Sequence, residues 1–210
     1  MSTLTLAPGR PTLADRIFTR SLVTDLVLIL AGTALVSILA QISIPLWPVP
    51  MTGQTFGVLF VGATLGVVRA AISLGLYLVI GLVGLPVFAP QSDGSHLTGL
   101  AALLGPTGGY LIGFIIAAAF VGWLAQREWD RKWIGTLLAF VGGTILIYSV
   151  GLPWLFVSLS SLHVANPLQA TLTGGLYPFL IGDAIKAVFA AILLPVTWRL
   201  LGSTKHDKAE

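Results

Sequence analysis

Long apolar stretches separated by short polar segments run through most of the 210-residue chain. Four intervals contain no Asp, Glu, Lys or Arg, and they lie between residues 25 and 69, 69 and 93, 93 and 127, and 132 and 183. A bilayer core of about 30 Å requires roughly 20 apolar residues in a helix, so each interval is long enough for one or two membrane spans. The pattern therefore predicts an all-α integral membrane protein.

Turn-forming residues within these intervals divide them into six predicted transmembrane helices. The helices are predicted at 24–44, 53–68, 70–88, 107–125, 133–152 and 175–200. Proline cannot continue a helix easily, because it lacks an N–H and restricts the residue before it. Pro45 therefore follows the first span, Pro86 and Pro90 close the third, and Pro153 closes the fifth.

Two connections between the spans carry further signals. Arg69 is predicted to mark a tight turn between the second and third spans. The segment 154–173 is apolar at first and then rich in serine, and Asn166-Pro167 interrupts it. We interpret this segment as a helix that lies on the surface rather than as a seventh span.

The first apolar run is too long to be the core of a typical secretory signal peptide. Such a core has about 7–15 residues followed by a small-residue cleavage site. The apolar run here extends from Leu26 to Ile44 and has no good cleavage site near its end. We therefore expect the first helix to be retained.

The distribution of basic residues predicts the orientation. Ten of the eleven Lys and Arg residues fall in the N-terminal segment, the 2–3 turn, the 4–5 loop and the C-terminal segment. The other three loops, at 45–52, 89–106 and 153–174, contain none. Cytoplasmic loops are enriched in Lys and Arg, so both termini are predicted to be cytoplasmic. This gives a cytoplasmic segment at 1–23, a six-helix membrane domain at 24–201 and a cytoplasmic tail at 202–210.

The composition agrees with this class and excludes several others. Hydrophobic residues make up 56% of the chain and charged residues 9%, against about 25% charged residues in soluble domains. There is no cysteine, which excludes disulfides, thiol nucleophiles and zinc–thiolate sites. The net charge is only +3 and the basic residues form no stripe, which argues against binding to nucleic acid.

The sixth predicted span contains a charged pair, Asp183 and Lys186. A spacing of three places both side chains on one helix face. Charges at this depth are costly and usually face a bundle interior or a cavity. Two interpretations remain open, a neutralising pair that ties helices together and one wall of a polar ligand site.

The loops predicted to be external are rich in aromatic, proline and amide residues. The loop after the first span carries three prolines and ends in Thr52 and Gln54, so it resembles a lid that offers hydrogen bonds over a cavity. Phe88 and Tyr177 lie near the ends of other spans. Tyrosine also gathers at any membrane interface, so an interfacial role is an alternative for Tyr177.

One face of the first predicted helix is small and slightly polar. It consists of Gly32, Thr33, Val36, Ser37 and Ala40. Small residues allow helices to approach closely in lipid. This face is suited either to docking against another protein or to packing within the bundle.

The sequence offers no catalytic, metal or cofactor motif. A P-loop of the form G-x-x-x-x-G-K-[ST] is absent, so the chain does not hydrolyse ATP through one. His96 and His163 stand alone without other metal ligands nearby in the sequence. No nucleophile is accompanied by a base. We therefore expect a protein that is not an enzyme and has no resident metal or cofactor.

Four segments resemble one known family. They are Gln41-Ile-Ser-Ile-Pro45 running into Val49-Pro-Met-Thr-Gly-Gln-Thr55, Gly84-Leu-Pro-Val-Phe88, Leu104-Gly-Pro-Thr-Gly-Gly-Tyr-Leu-Ile-Gly-Phe114, and Gly182-Asp-Ala-Ile-Lys186. The chain resembles the BioY family, the biotin-specific substrate-binding (S) components of energy-coupling factor (ECF) transporters. The resemblance covers nearly the whole membrane domain, although the loop after Phe88 and the first-helix docking motif depart from the family pattern.

The resemblance implies a six-helix S component in a bacterial cytoplasmic (inner) membrane that captures biotin with high affinity at the external face. A transmembrane coupling subunit and a pair of ATP-binding subunits would drive uptake. Asp183 and Lys186 would lie in the pocket, beneath the loop that follows the first helix. An S component for another vitamin and a proton-coupled secondary carrier are the alternatives.

The expected contacts with biotin follow from its chemistry. Asp183 would accept a hydrogen bond from a ureido N–H and Lys186 would donate to the ureido oxygen. Phe88 and Tyr177 would pack against the bicyclic ring, while Thr52 and Gln54 close the lid. Alternatively, Lys186 would pair with the biotin carboxylate, as the only buried cation.

Overall fold

The computed structural model describes residue 6 and residues 9–203, with the side chains of 202 and 203 excepted, and this part of the chain is mostly helical. Its α-helices are α1 (Leu13–Ile17), α2 (Leu22–Gln41), α3 (Gln54–Leu65), α4 (Val67–Leu82), α5 (Gly99–Leu104), α6 (Gly108–Ala125), α7 (Trp133–Ser161), α8 (Pro167–Gly175) and α9 (Tyr177–Ser203). A 3-10 turn at Trp129–Arg131 precedes α7. Strands β1 (Ser43–Ile44) and β2 (Met51–Thr52) form an antiparallel hairpin.

Each of the six predicted spans contains an apolar helix, but not all of these helices are long. Four segments among the described residues are long and apolar enough to cross a membrane: α2, α6, α7 and the stretch Pro167–Leu201 that comprises α8 and most of α9. Helices α3 and α4 are apolar but shorter, with 12 and 16 residues. At 1.5 Å per residue, α3 extends only about 18 Å, so the count of six spans stays a prediction.

Helix α6 lies at the centre of the bundle and depends on glycine for its close contacts. A Cβ atom at Gly109 would lie 2.3 Å from Cβ of Trp154 on α7. A Cβ atom at Gly122 would lie 2.6 Å from the backbone of Gly66, where α3 gives way to α4. These glycines allow backbones to approach closely, as small residues do between membrane helices.

The turn between α3 and α4 lies at Gly66 and not at Arg69. Gly66 has a φ of +81°, which favours glycine. Arg69 lies within α4 and is buried, and its side chain binds two carboxylates, with Nη1 2.8 Å from Oδ1 of Asp15 and Nε 2.7 Å from Oδ1 of Asp25. The prediction of a turn at Arg69 was wrong, because carboxylates that are distant in sequence hold this side chain inside the bundle. Arg69 is more deeply buried than Lys186, so the expectation that Lys186 is the only buried cation was also wrong.

This ion-pair cluster ties helix α1 to the bundle. Arg20 also binds Asp15, with a distance of 3.0 Å between Nη2 and Oδ2. Burial alone would raise the pKa of Asp15, but hydrogen bonds from Arg20, the Thr12 N–H and Arg69 outweigh it and hold this pKa below its usual value. The region after residue 9 is therefore partly packed and not a free polar tail.

Pro153 does not end the fifth predicted span. Helix α7 passes through Pro153 and continues to Ser161. Proline is tolerated in membrane helices where neighbouring groups compensate for the lost hydrogen bond. The indole N–H of Trp154 donates to the carbonyl of Gly105 at 3.0 Å, which holds this part of α7 against the chain before α6.

Other element boundaries also differ from the prediction. Helix α4 ends at Leu82, six residues before the predicted end of the third span, and α5 forms within the predicted loop 89–106. In the segment 154–173, α7 occupies the first part and α8 begins at Pro167. Proline is favoured at this first helical position because its fixed φ suits a helix start.

The small face of α2 packs inside the bundle. A Cβ atom at Gly32 would lie 2.8 Å from the hydroxyl of Ser73 on α4. Thr33 donates a hydrogen bond to the carbonyl of Ser73 at 2.9 Å. Internal packing thus describes Gly32 and Thr33, and Val36 and Ala40 are buried with them, whereas docking of this face against another protein stays a prediction.

Candidate functional site

A cavity lies where the hairpin, the chain between α4 and α6, and helices α3, α6, α7 and α9 meet. About 650 Å³ of space not occupied by protein atoms, part of it open to solvent, lies within its outline. It is lined by Val49, Pro50, Thr52, Gln54, Thr55, Phe88, Ala89, Gln91, Leu97, Ala102, Thr107, Tyr110, Leu111, Phe114, Ile147, Tyr148 and Phe179. No lining side chain carries a charge, and the hydroxyl and amide groups are spaced along an otherwise apolar wall.

The hairpin and its loop, residues 43–52, form a lid over the cavity. Pro48 packs closely on α8, because a Cβ atom at Gly174 would lie only 2.3 Å from Cδ of Pro48. At the other end, the N–H of Gly53 donates to the carbonyl of Ile42 at 3.0 Å. The lid is therefore held at its tip and at its base.

Thr52 and Gln54 connect the lid to helix α4. The Thr52 hydroxyl donates to Oε1 of Gln54 at 3.1 Å and accepts from the Gln54 backbone N–H at 3.1 Å. The side-chain amide of Gln54 donates to the hydroxyl of Tyr77 at 2.7 Å. Gln54 is buried, so these bonds fix the orientation of its amide group in the cavity wall.

Phe88 is seated in a space that glycine provides. A Cβ atom at Gly81 would lie 2.1 Å from Cζ of Phe88, so the ring rests directly on α4. Its edge-to-face partner is Tyr77, with ring centroids 5.3 Å apart. The amide of Gln41 donates to the Phe88 carbonyl at 3.3 Å, which ties this loop to the end of α2.

Asp183 and Lys186 form a saturated polar network with α3 and α7. The Lys186 ammonium donates to the Thr52 carbonyl at 2.9 Å, to the Thr55 hydroxyl at 2.7 Å and to Asp183 Oδ1 at 3.1 Å. An ammonium has three donors, so all of them are used. Asp183 also accepts hydrogen bonds from the hydroxyls of Thr55 and Tyr148. The charged pair therefore connects α9 to the lid, to α3 and to α7.

The charged pair lies behind the cavity wall. Asp183 and Lys186 are absent from the lining and border a smaller space of about 160 Å³ beside Thr55 and Thr144. Thr55 and Tyr148 face the main cavity and bind Asp183 at the same time. These two hydroxyls therefore connect the charged pair to the cavity.

The other residues predicted from the sequence divide into two groups. Thr52, Gln54 and Phe88 line the cavity. Tyr177 begins α9, is 54% exposed and does not line it. Its position matches the interfacial alternative, and a contact between Tyr177 and ligand stays a prediction.

Several polar residues of the wall were missed by the sequence analysis. Thr55, Tyr110 and Tyr148 lie within apolar helices, where a single hydroxyl gives no distinctive pattern in one sequence. Tyr110 donates to the Gly175 carbonyl at 2.9 Å and so anchors the end of α8. Tyr110 lies in Leu104–Phe114, one of the four segments that resemble a known family, and this resemblance could have identified it.

A family model described as the BioY family matches residues 10–203 of the chain. This range includes every residue of the cavity wall and the polar network. The chain belongs to the BioY family.

Two relatives show how closely the chain follows this family. The Biotin transporter BioY of Thermotoga maritima is 39% identical over 79% of this chain and 92% of its own length. The Probable biotin transporter BioY of Pyrococcus horikoshii is 36% identical over 81% of this chain and 92% of its own length. Both carry the name of a transporter and not that of an enzyme.

A solved structure has a similar fold. It is the crystal structure of the S-component for biotin from an ECF-type ABC transporter, with a TM-score of 0.67 and 28% identity. The match covers 84% of this BioY-family chain and 92% of the solved one. The helical arrangement described above is therefore that of an ECF S component.

Proposed function

We propose that this chain binds biotin in the cavity beneath the lid and supports its uptake as the substrate-binding component of an ECF transporter. The observation that carries the proposal is an uncharged cavity beneath the lid, with hydroxyl and amide groups on an apolar wall, in a chain of the BioY family. The relatives named as biotin transporters support the choice of vitamin. Capture and release, not catalysis, is the expected activity.

Biotin has a ureido ring with two N–H donors and a carbonyl, an apolar thioether ring and a carboxylate tail. We place the ureido group beside Thr55 and Tyr148, whose hydroxyl oxygens can accept hydrogen bonds from its N–H groups. Phe88 supplies an aromatic surface for the bicyclic ring. Thr52, the last residue of the lid, and Gln54, which begins α3, complete the enclosure. The carboxylate then points towards Gln91 and the cavity mouth.

In this arrangement Asp183 and Lys186 act through Thr55 and Tyr148. Asp183 fixes the direction of both hydroxyls, and Lys186 neutralises the carboxylate while holding the lid through the Thr52 carbonyl. The pair is therefore both a structural connection and part of the binding site. Pairing of Lys186 with the biotin carboxylate would require it to give up one of its three present partners.

Uptake needs an energy source that the chain does not contain. The sequence has no P-loop, and the solved neighbour is named as a component of an ABC transporter. We propose that a transmembrane coupling subunit and a pair of ATP-binding subunits drive transport in a bacterial cytoplasmic membrane. The cavity opens on the side whose loops carry no Lys or Arg, which is the external side by the positive-inside rule.

Biotin analogues and one substitution test the proposed contacts. Biotin amide should bind within a few-fold of biotin, because Lys186 is not the partner of the carboxylate. Asp183→Asn should weaken biotin binding by about tenfold or more, since the half-buried Lys186 and two hydroxyls lose their charged acceptor. Calorimetry on the purified chain gives both affinities.

Two outcomes would overturn the assignment. If biotin amide fails to bind while biotin binds, Lys186 pairs with the biotin carboxylate. If Asp183→Asn keeps wild-type affinity, the charged pair is not part of the binding site. Biotin accumulation in vesicles that contain this chain alone, abolished by a proton uncoupler, would favour a secondary carrier.

A further inference from the structure

The connection between α6 and α7 forms a second groove, at the opposite end of these helices from the cavity. It contains about 760 Å³ of space not occupied by protein atoms. It is lined by Arg127, Glu128, Trp129, Arg131, Lys132, Gly135 and Leu138. Three cations thus share a groove with one carboxylate.

That carboxylate is already engaged. Oε1 of Glu128 lies 3.1 Å from Arg131 and 3.3 Å from Arg10. Arg127 and Lys132 have no carboxylate partner within residues 9–203, as far as the structure describes them, and both are exposed. The groove therefore retains two cations suited to binding an anion.

Arg127 is held in place by an aromatic ring. Its guanidinium lies over Trp123 with 3.6 Å to the ring centroid, a cation–π contact. Trp123 lies on α6 and is itself exposed. The Trp123 ring thus fixes the Arg127 guanidinium at the rim of the groove. Tryptophan is typical of a membrane interface.

The groove also has apolar lining residues. Trp129 is 40% exposed and Leu138 is 53% exposed, and the exposed side chains of Trp133 and Ile134 extend this surface along α7. A small soluble anion would contact only the basic rim. A molecule with an anionic head and an apolar chain would contact both the basic and the apolar lining residues. Its chain would continue along the exposed side chains of α7.

We propose that this groove binds one anionic phospholipid. Its phosphate lies between Arg127 and Lys132, and an acyl chain lies along Trp129 and Leu138. Guanidinium and ammonium groups are suitable donors to phosphate, and basic pockets between membrane helices bind anionic lipid heads. The bound lipid anchors the α6–α7 connection at the membrane surface, away from the biotin cavity.

Native mass spectrometry of the purified full chain tests the proposal. Phosphatidylglycerol should form a 1:1 adduct at least tenfold more tightly than phosphatidylcholine with the same acyl chains. The double variant R127Q/K132Q should lose this preference. The matched control R16Q/R199Q removes two positive charges from the same side of the protein but outside the groove, and it should keep the preference.

A second measurement does not depend on any variant. Brominated phosphatidylglycerol should quench tryptophan fluorescence of the unmodified chain more strongly than brominated phosphatidylcholine, because Trp129 lies in the groove. Equal binding of the two lipids would contradict the proposal, as would equal losses in the two double variants. Displacement of the lipid by millimolar inorganic phosphate would indicate a site for free anions and would also overturn it.

Discussion

Thr55 connects the cavity with the charged pair at the scale of single residues. Its hydroxyl accepts from Lys186 at 2.7 Å and donates to Asp183 at 2.8 Å, and the residue also lines the cavity. Hydrogen bonds to charged groups are worth more than those between neutral groups. Thr55 should therefore matter for binding as much as the charged residues it contacts.

Thr55→Val should reduce the affinity for biotin by about tenfold or more, because it removes a hydroxyl and leaves two charged groups short of a partner. Thr144→Val is the matched control. Thr144 borders the same small space beside Asp183 and Lys186 but makes no side-chain hydrogen bond in the described part of the chain. Calorimetry that shows equal losses in the two variants would contradict the role given to Thr55.

The sequence identified the charged pair, Asp183 and Lys186, but not the hydroxyl groups that bind it. Asp183 and Lys186 stand out because charges are rare and costly inside an apolar helix. Thr55 and Tyr148 give no such signal, since hydroxyls occur in many membrane helices. Their partner Asp183 is 128 and 35 positions away, a proximity that only the fold creates.

At the scale of helices and loops, glycine determines which surfaces meet. Gly81 on α4 leaves the space that the Phe88 ring occupies, while Gly75 on the same helix has no atom within 4 Å of the position of an added Cβ. The two glycines are equivalent in helix propensity and differ in their surroundings. They therefore form a matched pair for testing how Phe88 is positioned.

Gly81→Ala should weaken biotin binding, because the added methyl group displaces the Phe88 ring from α4 and into the cavity. Gly75→Ala should leave binding unchanged and stabilise the helix by up to about 1 kcal/mol. Binding assays and thermal unfolding of both variants measure these effects. Unchanged affinity in Gly81→Ala would show that the position of Phe88 is unimportant for the ligand.

Helix ends were harder to predict than helix positions. Apolar segment length located each of the main helices. Pro153 was predicted to close the fifth span, whereas α7 continues through it to Ser161 and Trp154 binds the Gly105 carbonyl. Arg69 was predicted to mark a turn, whereas Asp15 and Asp25 pair with it inside the bundle and the turn lies at Gly66.

At the scale of the whole molecule, the cavity and the basic groove occupy opposite ends of α6 and α7. The loops beside the cavity contain no Lys or Arg, and the connections at the other end contain most of them. By the positive-inside rule we predict that the cavity faces outside and that the groove lies at the cytoplasmic surface. Substrate capture and contact with the cytoplasmic leaflet would take place on different sides of the membrane.

This orientation can be measured directly, because the chain contains no cysteine that would interfere with labelling. Ser92→Cys, in an exposed loop beside the cavity, should react with a membrane-impermeant maleimide added to intact cells. Arg10→Cys, on the N-terminal side, should react only after the membrane is permeabilised. The reverse pattern would invert the topology, and labelling of both from outside would contradict the three predicted spans between these two positions.

The central claim is that this chain alone captures biotin. Calorimetry on the purified protein in detergent, without ATP or partner subunits, tests it most directly, with thiamine and riboflavin as controls. The account predicts tight 1:1 binding of biotin and no binding of the other two vitamins. Binding of thiamine or riboflavin in place of biotin would contradict the assigned substrate, and no binding of any of the three would contradict the capture function itself.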